Sequence, residues 1–331
     1  MICYPVCIPT LNRYEHLKAC VESLQRCTHA DKTELIIGLD SLPPPPNYEV
    51  YREGYEKVKA YLPTITGFAK VTILERDTNY GAERNSDALE EYCLERYDAC
   101  IFTEDDNVFS PCFLDYMDKA LERYRDDERI FSVCGFCHPW NYGLSKGCIH
   151  LEYDNSAWGT GYWRNKYHEA KRVIKDKSFH SHATSRSMSK KIVNDYPHGF
   201  RMLYYMVRYD FSWEDAAFGT YNVMTNHYQI KPALSLVRNI GCDGSGLHSG
   251  VDTSITRQII SSETSFNLPD NIEMLKTDVI GRGYADIKEK QQMLRQARIL
   301  HLLCVFPLLR RIQWYAHRYW LGIMRRCGRP V

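Results

Sequence analysis

Residues 98–117, DACIFTEDDNVFSPCFLDYM, run a short apolar stretch into three adjacent carboxylates, Glu104, Asp105 and Asp106, and then into a helix-like repeat of apolar positions. The apolar part has the length and composition of a buried strand, so the acids fall where that strand ends. The same form recurs upstream in TELIIGLD (33–40) and KVTILERD (70–77), while residues 2–8 and RIFSVCGF (129–136) read as two further strands. Residues 12–27, with Leu17, Cys20, Val21 and Leu24 at helical spacing, 82–97 and 111–127 read as the helices between them. Strands alternating with helices predict an α/β fold with a mostly parallel sheet covered on both faces. Ligands of such sheets bind at the carboxyl ends of the strands, where Asp40 and the acid triplet both stand.

Composition agrees with a folded enzyme-sized chain. The 331 residues are 44% hydrophobic and 25% charged, an ordinary globular balance that excludes global disorder. The start, MICYPVCIPT, has no basic region leading into a long apolar core, so no secretory signal is expected. Thirteen cysteines at irregular spacings are expected as free thiols in a reducing compartment. CGFC (134–137) and HSHATS (180–185) lack partners for a metal site and are expected to be structural. The insert at 43–63 predicts a polyproline turn followed by an exposed helix, and residues 137–290 read as a less regular, loop-built face rich in Tyr, Trp, His and Gly.

Three like charges in a row at a partly buried strand end call for a neutralising cation. Mg²⁺ or Mn²⁺ would use one or two of the carboxylates and leave its other positions to water and a substrate diphosphate. The competing reading is a solvated acidic turn that caps the helix after Pro111. The later GCDGSGLHSG (241–250) sits too far along the chain for a dinucleotide fingerprint, and is expected to be a loop that closes over a bound donor.

Taken in order, CIPTLNR (7–13), ELIIGLD (34–40), NYGAERN (79–85), FTEDDNVFSPCFLDYM (102–117), AWGTGYW (157–163), WED (213–215) and SLVRNIGCDGSGLH (235–248) resemble the GT-A-fold glycosyltransferases. The likeness is closest to family-2-type sugar transferases of bacterial polysaccharide assembly, and the EDD form is similar to that of N-acetylglucosaminyltransferases. It implies a Rossmann-like GT-A domain over residues 1–290, with a nucleotide-binding half (1–136) and an acceptor-binding half (137–290). It also implies a nucleotide-diphosphate-sugar donor, UDP- or GDP-linked, held by Pro9, Thr10, Asn12, Arg13, Asp40, Asn79, Gly81, Arg84 and Asp105. Asp106 would bind Mn²⁺ or Mg²⁺, with His248 as a late ligand and Glu104 as an orienting group. Asp215, or its neighbour Glu214, would act as the base of an inverting transfer. Trp158, Trp163 and Trp213 stand as candidates for stacking on a sugar face.

The chain ends differently from how it begins. No Asp or Glu follows Glu289, and the last eight arginines leave the first 290 residues at −7 against a total of +1. Residues 291–331 mix an apolar run, too short to span a bilayer, with Arg pairs, Trp and Tyr. They are expected to form an interfacial helical segment on the cytosolic face of a membrane, the alternative being a helix packed on the domain. The aromatic and aliphatic content makes a nucleic-acid arm a poor fit. A glycan or lipid-linked acceptor suits such a placement. Two other function classes stay open: a nucleotidyltransferase, which also places acids at the rim of an α/β sheet, and a non-catalytic, membrane-bound glycan binder.

Overall fold

The computed structural model describes residues 2–140, 142–209, 211, 213–244, 251–273, 275 and 288–305. The N-terminal strands form as the apolar runs predict: β1 (Val6–Thr10), β2 (Glu34–Leu39), β3 (Lys70–Glu75) and β4 (Ala99–Phe102) lie parallel in the order β3-β2-β1-β4. Between them run α1 (Tyr14–Gln25), α2 (Tyr48–Tyr61) and α3 (Ala82–Arg96). Alternation along the strands serves two cores. Val6, Ile8, Leu35, Ile37 and Leu39 pack on α1 and on α4 (Phe113–Arg123), whereas Cys7 and Ile36 face Leu89 and Cys93 of α3 on the other side. Helix α2 follows the prolines and buries only Val58, in keeping with the exposed helix expected there.

The sheet is larger than the alternating pattern implies. It continues past β4 through β8 (Thr160–Trp163), β6 (Ile130–Cys134), β9 (Tyr228–Pro232) and β7 (Ile149–Glu152), giving eight strands among the described residues. Six run in one direction, while β8 and β7 run against them. The described part of 137–290 is therefore more regular than expected. It adds three sheet strands and the helices α5 (Arg164–Ile174), α6 (Phe179–Ala183), α7 (Arg186–Asp195), α8 (Pro197–Tyr209), α9 (Glu214–Thr225) and α10 (Thr253–Thr256).

The order of strands matters for function. From β1 the chain steps outward to β2 and β3, then returns to place β4 on the other flank of β1, which opens a crevice at the carboxyl ends of β1 and β4. Beyond β4 a two-stranded ribbon, β5 (Asn107–Phe109) with β10 (Val237–Asn239), roofs this crevice.

The last described helix, α11 (Lys288–Val305), packs on α7 and α8. Ala297 is buried, Leu294, Leu300 and Cys304 lie against the core, and His301 Nε2 stands 3.0 Å from Ser189 Oγ. Residues 291–305 thus lie against the domain. The Arg-rich remainder of the expected interfacial segment, 306–331, is outside the described residues. No described helix is long and apolar enough to cross a membrane.

Candidate active site

The carboxyl ends of β1, β2 and β4 bring the expected rim residues together. Thr10, the last residue of β1, donates its hydroxyl to Asp105 Oδ2 at 2.6 Å. Three residues on, where the chain turns into α1, Arg13 Nη1 lies 2.5 Å from Asp106 Oδ2 and 4.0 Å from Asp105 Oδ1. Asp106 accepts a second bond, 2.6 Å, on Oδ1 from Asn239 Nδ2. Trp158 Nε1 donates to Glu104 Oε2 at 2.8 Å. The acid triplet is therefore splayed: each carboxylate has its own partner, which limits the repulsion among neighbours in sequence.

One guanidinium does not offset three acids. Loss of hydration and the Asp106 charge push Asp105 up to about 7, despite the Thr10 hydroxyl and Arg13, which favour its charged form. Glu104 keeps contact with solvent but sits in a recess crowded by protein; lost hydration, Asp106 and Asp215 push it up to about 8. An all-oxygen donor set with uncompensated negative charge fits a hard divalent cation. Asp106, with Asp105 beside it, is placed to hold one, and Arg13 occupies part of that negative field here.

Asp40 sits one residue past β2 and is bound to the Thr10 strand end through its backbone N–H, 3.0 Å from Thr10 O. Its carboxylate is spent on the neighbouring loop. Oδ1 accepts from Ser41 N (2.9 Å) and Tyr80 N (2.8 Å), and Oδ2 from Gly81 N (2.8 Å) and Asn79 Nδ2 (3.2 Å). The loop therefore arrives preformed at the N-terminus of α3, where Gly81 takes φ +76°, a left-handed angle that favours glycine. Arg84, on the first turn of α3, is exposed and lays its guanidinium 3.9 Å from the Tyr80 ring centre. Asn12 holds the turn after β1; a Cβ on Gly54 of α2 would overlap its carbonyl, so α2 and this turn are in close contact. Pro9 lies opposite Gly38 in the β1–β2 ladder.

The two acids of α9 part company. Asp215 accepts from Asn155 Nδ2 (3.2 Å) and from Ala157 N (3.3 Å), on the segment that leads to Trp158 and β8. Burial, with the charges of Asp154 and Glu214, pushes it up to about 7. Glu214 turns the other way and pairs with Lys171 of α5, which also holds Asp87 at 2.9 Å. Burial raises the Glu214 carboxyl, while Lys171 holds its charge in place.

The tryptophans separate as well. Trp158 stays at the rim, edge-on to Phe136 with ring centres 4.6 Å apart. Trp163 does not: it pairs with Ala99 at the amino end of β4, is buried, and donates Nε1 to Leu121 O at 3.1 Å. The antiparallel run of β8 carries it roughly 10 Å from the rim residue Thr160, so its ring is core rather than a sugar platform. Trp213 caps α9 and packs edge-on against Phe211 at 4.6 Å. His248 lies outside the described residues. The ends of its loop are tied by a bridge between Asp243 and Val251.

Sequence reasoning passed over Asn239, whose Oδ1 also accepts from the backbone N–H groups of Gly241 (2.9 Å) and Cys242 (3.1 Å). It also passed over Gly241 itself, where an added Cβ would overlap Asp106 Oδ2 and stand 2.7 Å from Arg13 Nη2. Asn155 and Lys171, which sort the α9 acids, carry no local signal either.

No family model matches the chain, and no curated protein does. Among solved structures, residues 1–349 of S. aureus TarS in complex with UDP-GlcNAc show 11% identity over 91% of this chain and 73% of that one, with a TM-score of 0.42. A mannosyltransferase, PcManGT from Pyrobaculum calidifontis, in complex with GDP-Man and Mn²⁺, shows 11% identity over 90% of this chain and 86% of that one, with a TM-score of 0.40. Against a longer TarS chain the match spans 51% of this chain and 30% of TarS, at a TM-score of 0.35.

Proposed function

We propose that this chain is a metal-dependent, inverting glycosyltransferase of GT-A type that moves a sugar from a UDP- or GDP-linked donor to a hydroxyl of a glycan or lipid-linked glycan. The observation that carries this reading is the convergence of Asp106, Asp105 and Arg13 at the β1–β4 crevice, with the charge of Asp215 on α9 acting on the adjoining Glu104. A divalent Mn²⁺ or Mg²⁺ held by Asp106 supplies a Lewis acid for the charge on the departing diphosphate. Arg13, which pairs with Asp106 here, would offer its planar fork to a phosphate oxygen of the donor.

Asp40 acts by fixing the loop that carries Asn79 and Gly81, so that backbone and amide groups meet the nucleoside. Asp215 removes the proton from the attacking hydroxyl; a carboxyl lifted to about 7 is poised for that exchange near neutral pH. Glu214 is a charge partner of Lys171, and Glu104 with Trp158 bounds the acceptor side of the pocket. Residues 1–290 form the catalytic domain, and the Arg-rich remainder of 291–331 approaches anionic lipid.

Thermal stabilisation across nucleotide-sugars and nucleoside triphosphates tests this directly. A shift with one UDP- or GDP-sugar that requires Mn²⁺ or Mg²⁺ and disappears in Asp106→Ala supports the transferase. A shift with triphosphates alone overturns it in favour of a nucleotidyltransferase. Stabilisation by free glycan that survives Asp106→Ala overturns it in favour of a binder.

A further inference from the structure

Below the sheet, at the opposite end of β1 from the crevice, three segments distant in sequence meet at Cys3, His29 and Asp118. One ligand atom from each, the Cys3 thiol, an imidazole nitrogen and a carboxylate oxygen, lies within 4.8 Å of the other two. Asp118, on α4, is buried, and its two oxygens are treated differently. Oδ1 accepts the backbone N–H of Tyr4 at 3.0 Å, which fixes the carboxylate. Among the described residues neither Oδ2 nor His29 Nδ1, which faces it at 3.8 Å, has a nitrogen or oxygen hydrogen-bond partner, while the Cys3 thiol lies beside the carboxyl. That separation is too long for a hydrogen bond but near the roughly 3.3 Å between two N/O ligands of one tetrahedral ion with arms of about 2.0 Å.

We propose that Cys3, His29 and Asp118 form a second divalent-metal site, of S, N and O ligands with a fourth position open to water, that takes Zn²⁺ and clamps the entry of β1 to α4 and the turn at His29. A further observation agrees. His29 holds φ +74°, a left-handed angle at which glycine would be favoured, so the backbone bears a cost to keep an imidazole there. The mixed donor set suits Zn²⁺ over the hard cation of the rim, because thiolate and imidazole are softer ligands. The two sites are separate: Cys3 and Thr10 lie seven residues apart along an extended segment, roughly 20 Å.

The test uses the full chain carrying Asp106→Ala, which silences the rim, titrated with Co²⁺ as a spectroscopic stand-in for Zn²⁺. One equivalent is expected to produce thiolate-to-cobalt charge-transfer absorption and to raise the melting temperature, with Zn²⁺ displacing the Co²⁺. The absorption is expected to vanish in Cys3→Ser and in His29→Gly, the latter relieving the backbone angle and so keeping the fold. It is expected to persist in Cys93→Ser, which breaks up the buried Cys7, Cys93 and Cys100 cluster. No thiolate absorption in the folded chain, or absorption that survives Cys3→Ser, overturns the assignment.

Discussion

Gly241→Ala offers the sharpest test of the rim, because it alters no charge and no hydrogen-bonding group. The added methyl would stand 2.6 Å from Asp106 Cγ and 2.7 Å from Arg13 Nη2, while ordinary carbon contacts begin near 3.5 Å. The backbone of Gly241 is held by Asn239 Oδ1 at 2.9 Å, and Asn239 in turn holds Asp106, so neither neighbour can yield alone. Relief requires a shift of about 1 Å in the Asp106 carboxylate or the β10 end, and a misplacement of that size costs about 100-fold in rate, or about 2.7 kcal/mol. The assay is donor turnover with saturating Mn²⁺, read as kcat/KM beside the melting temperature. Gly67→Ala is the control: at φ +85° on a remote turn it strains the backbone and should lower stability without touching turnover. A folded Gly241→Ala chain with turnover within about twofold of the parent would refute the placement of Asp106 at the reacting centre.

Other outcomes follow from the same geometry. Asp215→Asn should lose about 10²–10⁴-fold in turnover, while Glu214→Gln should lose far less and chiefly destabilise the Lys171 cluster; equal kinetic losses would sink the division of roles. Burial raises the Asp105 and Asp215 carboxyls from the ordinary 3.8 to about 7, so between these values the folded chain holds protons that the unfolded chain has lost. Stability of the metal-free protein should therefore be greatest at the acid end of that window and fall as pH climbs through 7, and Asp105→Asn should flatten the slope in thermal melts. An unchanged slope in that variant counts against the buried carboxyl. Trp163→Ala should cost about 3–5 kcal/mol of stability, whereas Trp158→Ala should act on turnover with little change in melting temperature.

How much of this was legible varies with the physics of each part. Strands β1, β2 and β4 are buried almost throughout and read as largely apolar runs, so TELIIGLD and DACIFT announce themselves and fix the rim where Asp40 and the acid triplet stand. Strand β8 is four residues, TGYW, with a glycine where Leu121 leaves no room for a side chain, and no periodicity survives at that length. The ribbon strands β5 and β10 are three residues each. Asn239 becomes meaningful only because its pairing with Asn107 aims its amide at Asp106. The sorting of Glu214 from Asp215 depends on Lys171 and Asn155, contacts made across tens of residues. Trp163 misleads for the same reason: its neighbour in sequence is the rim, but its register is the far end of the sheet.

The insertion of β8 has a consequence for how the chain can be made and divided. Residues 160–163 lie between β4 and β6, so the sheet assembled from residues 1–136 has a missing strand: β4 ends in an open edge and β6 touches none of the four strands before it. A fragment cut at residue 136 would bare one edge of β4 and both edges of β6, the kind of surface that recruits other chains. During synthesis the crevice therefore stays half-walled until β8 has been made, and residues 1–136 are not a severable module but a part that the later strands complete.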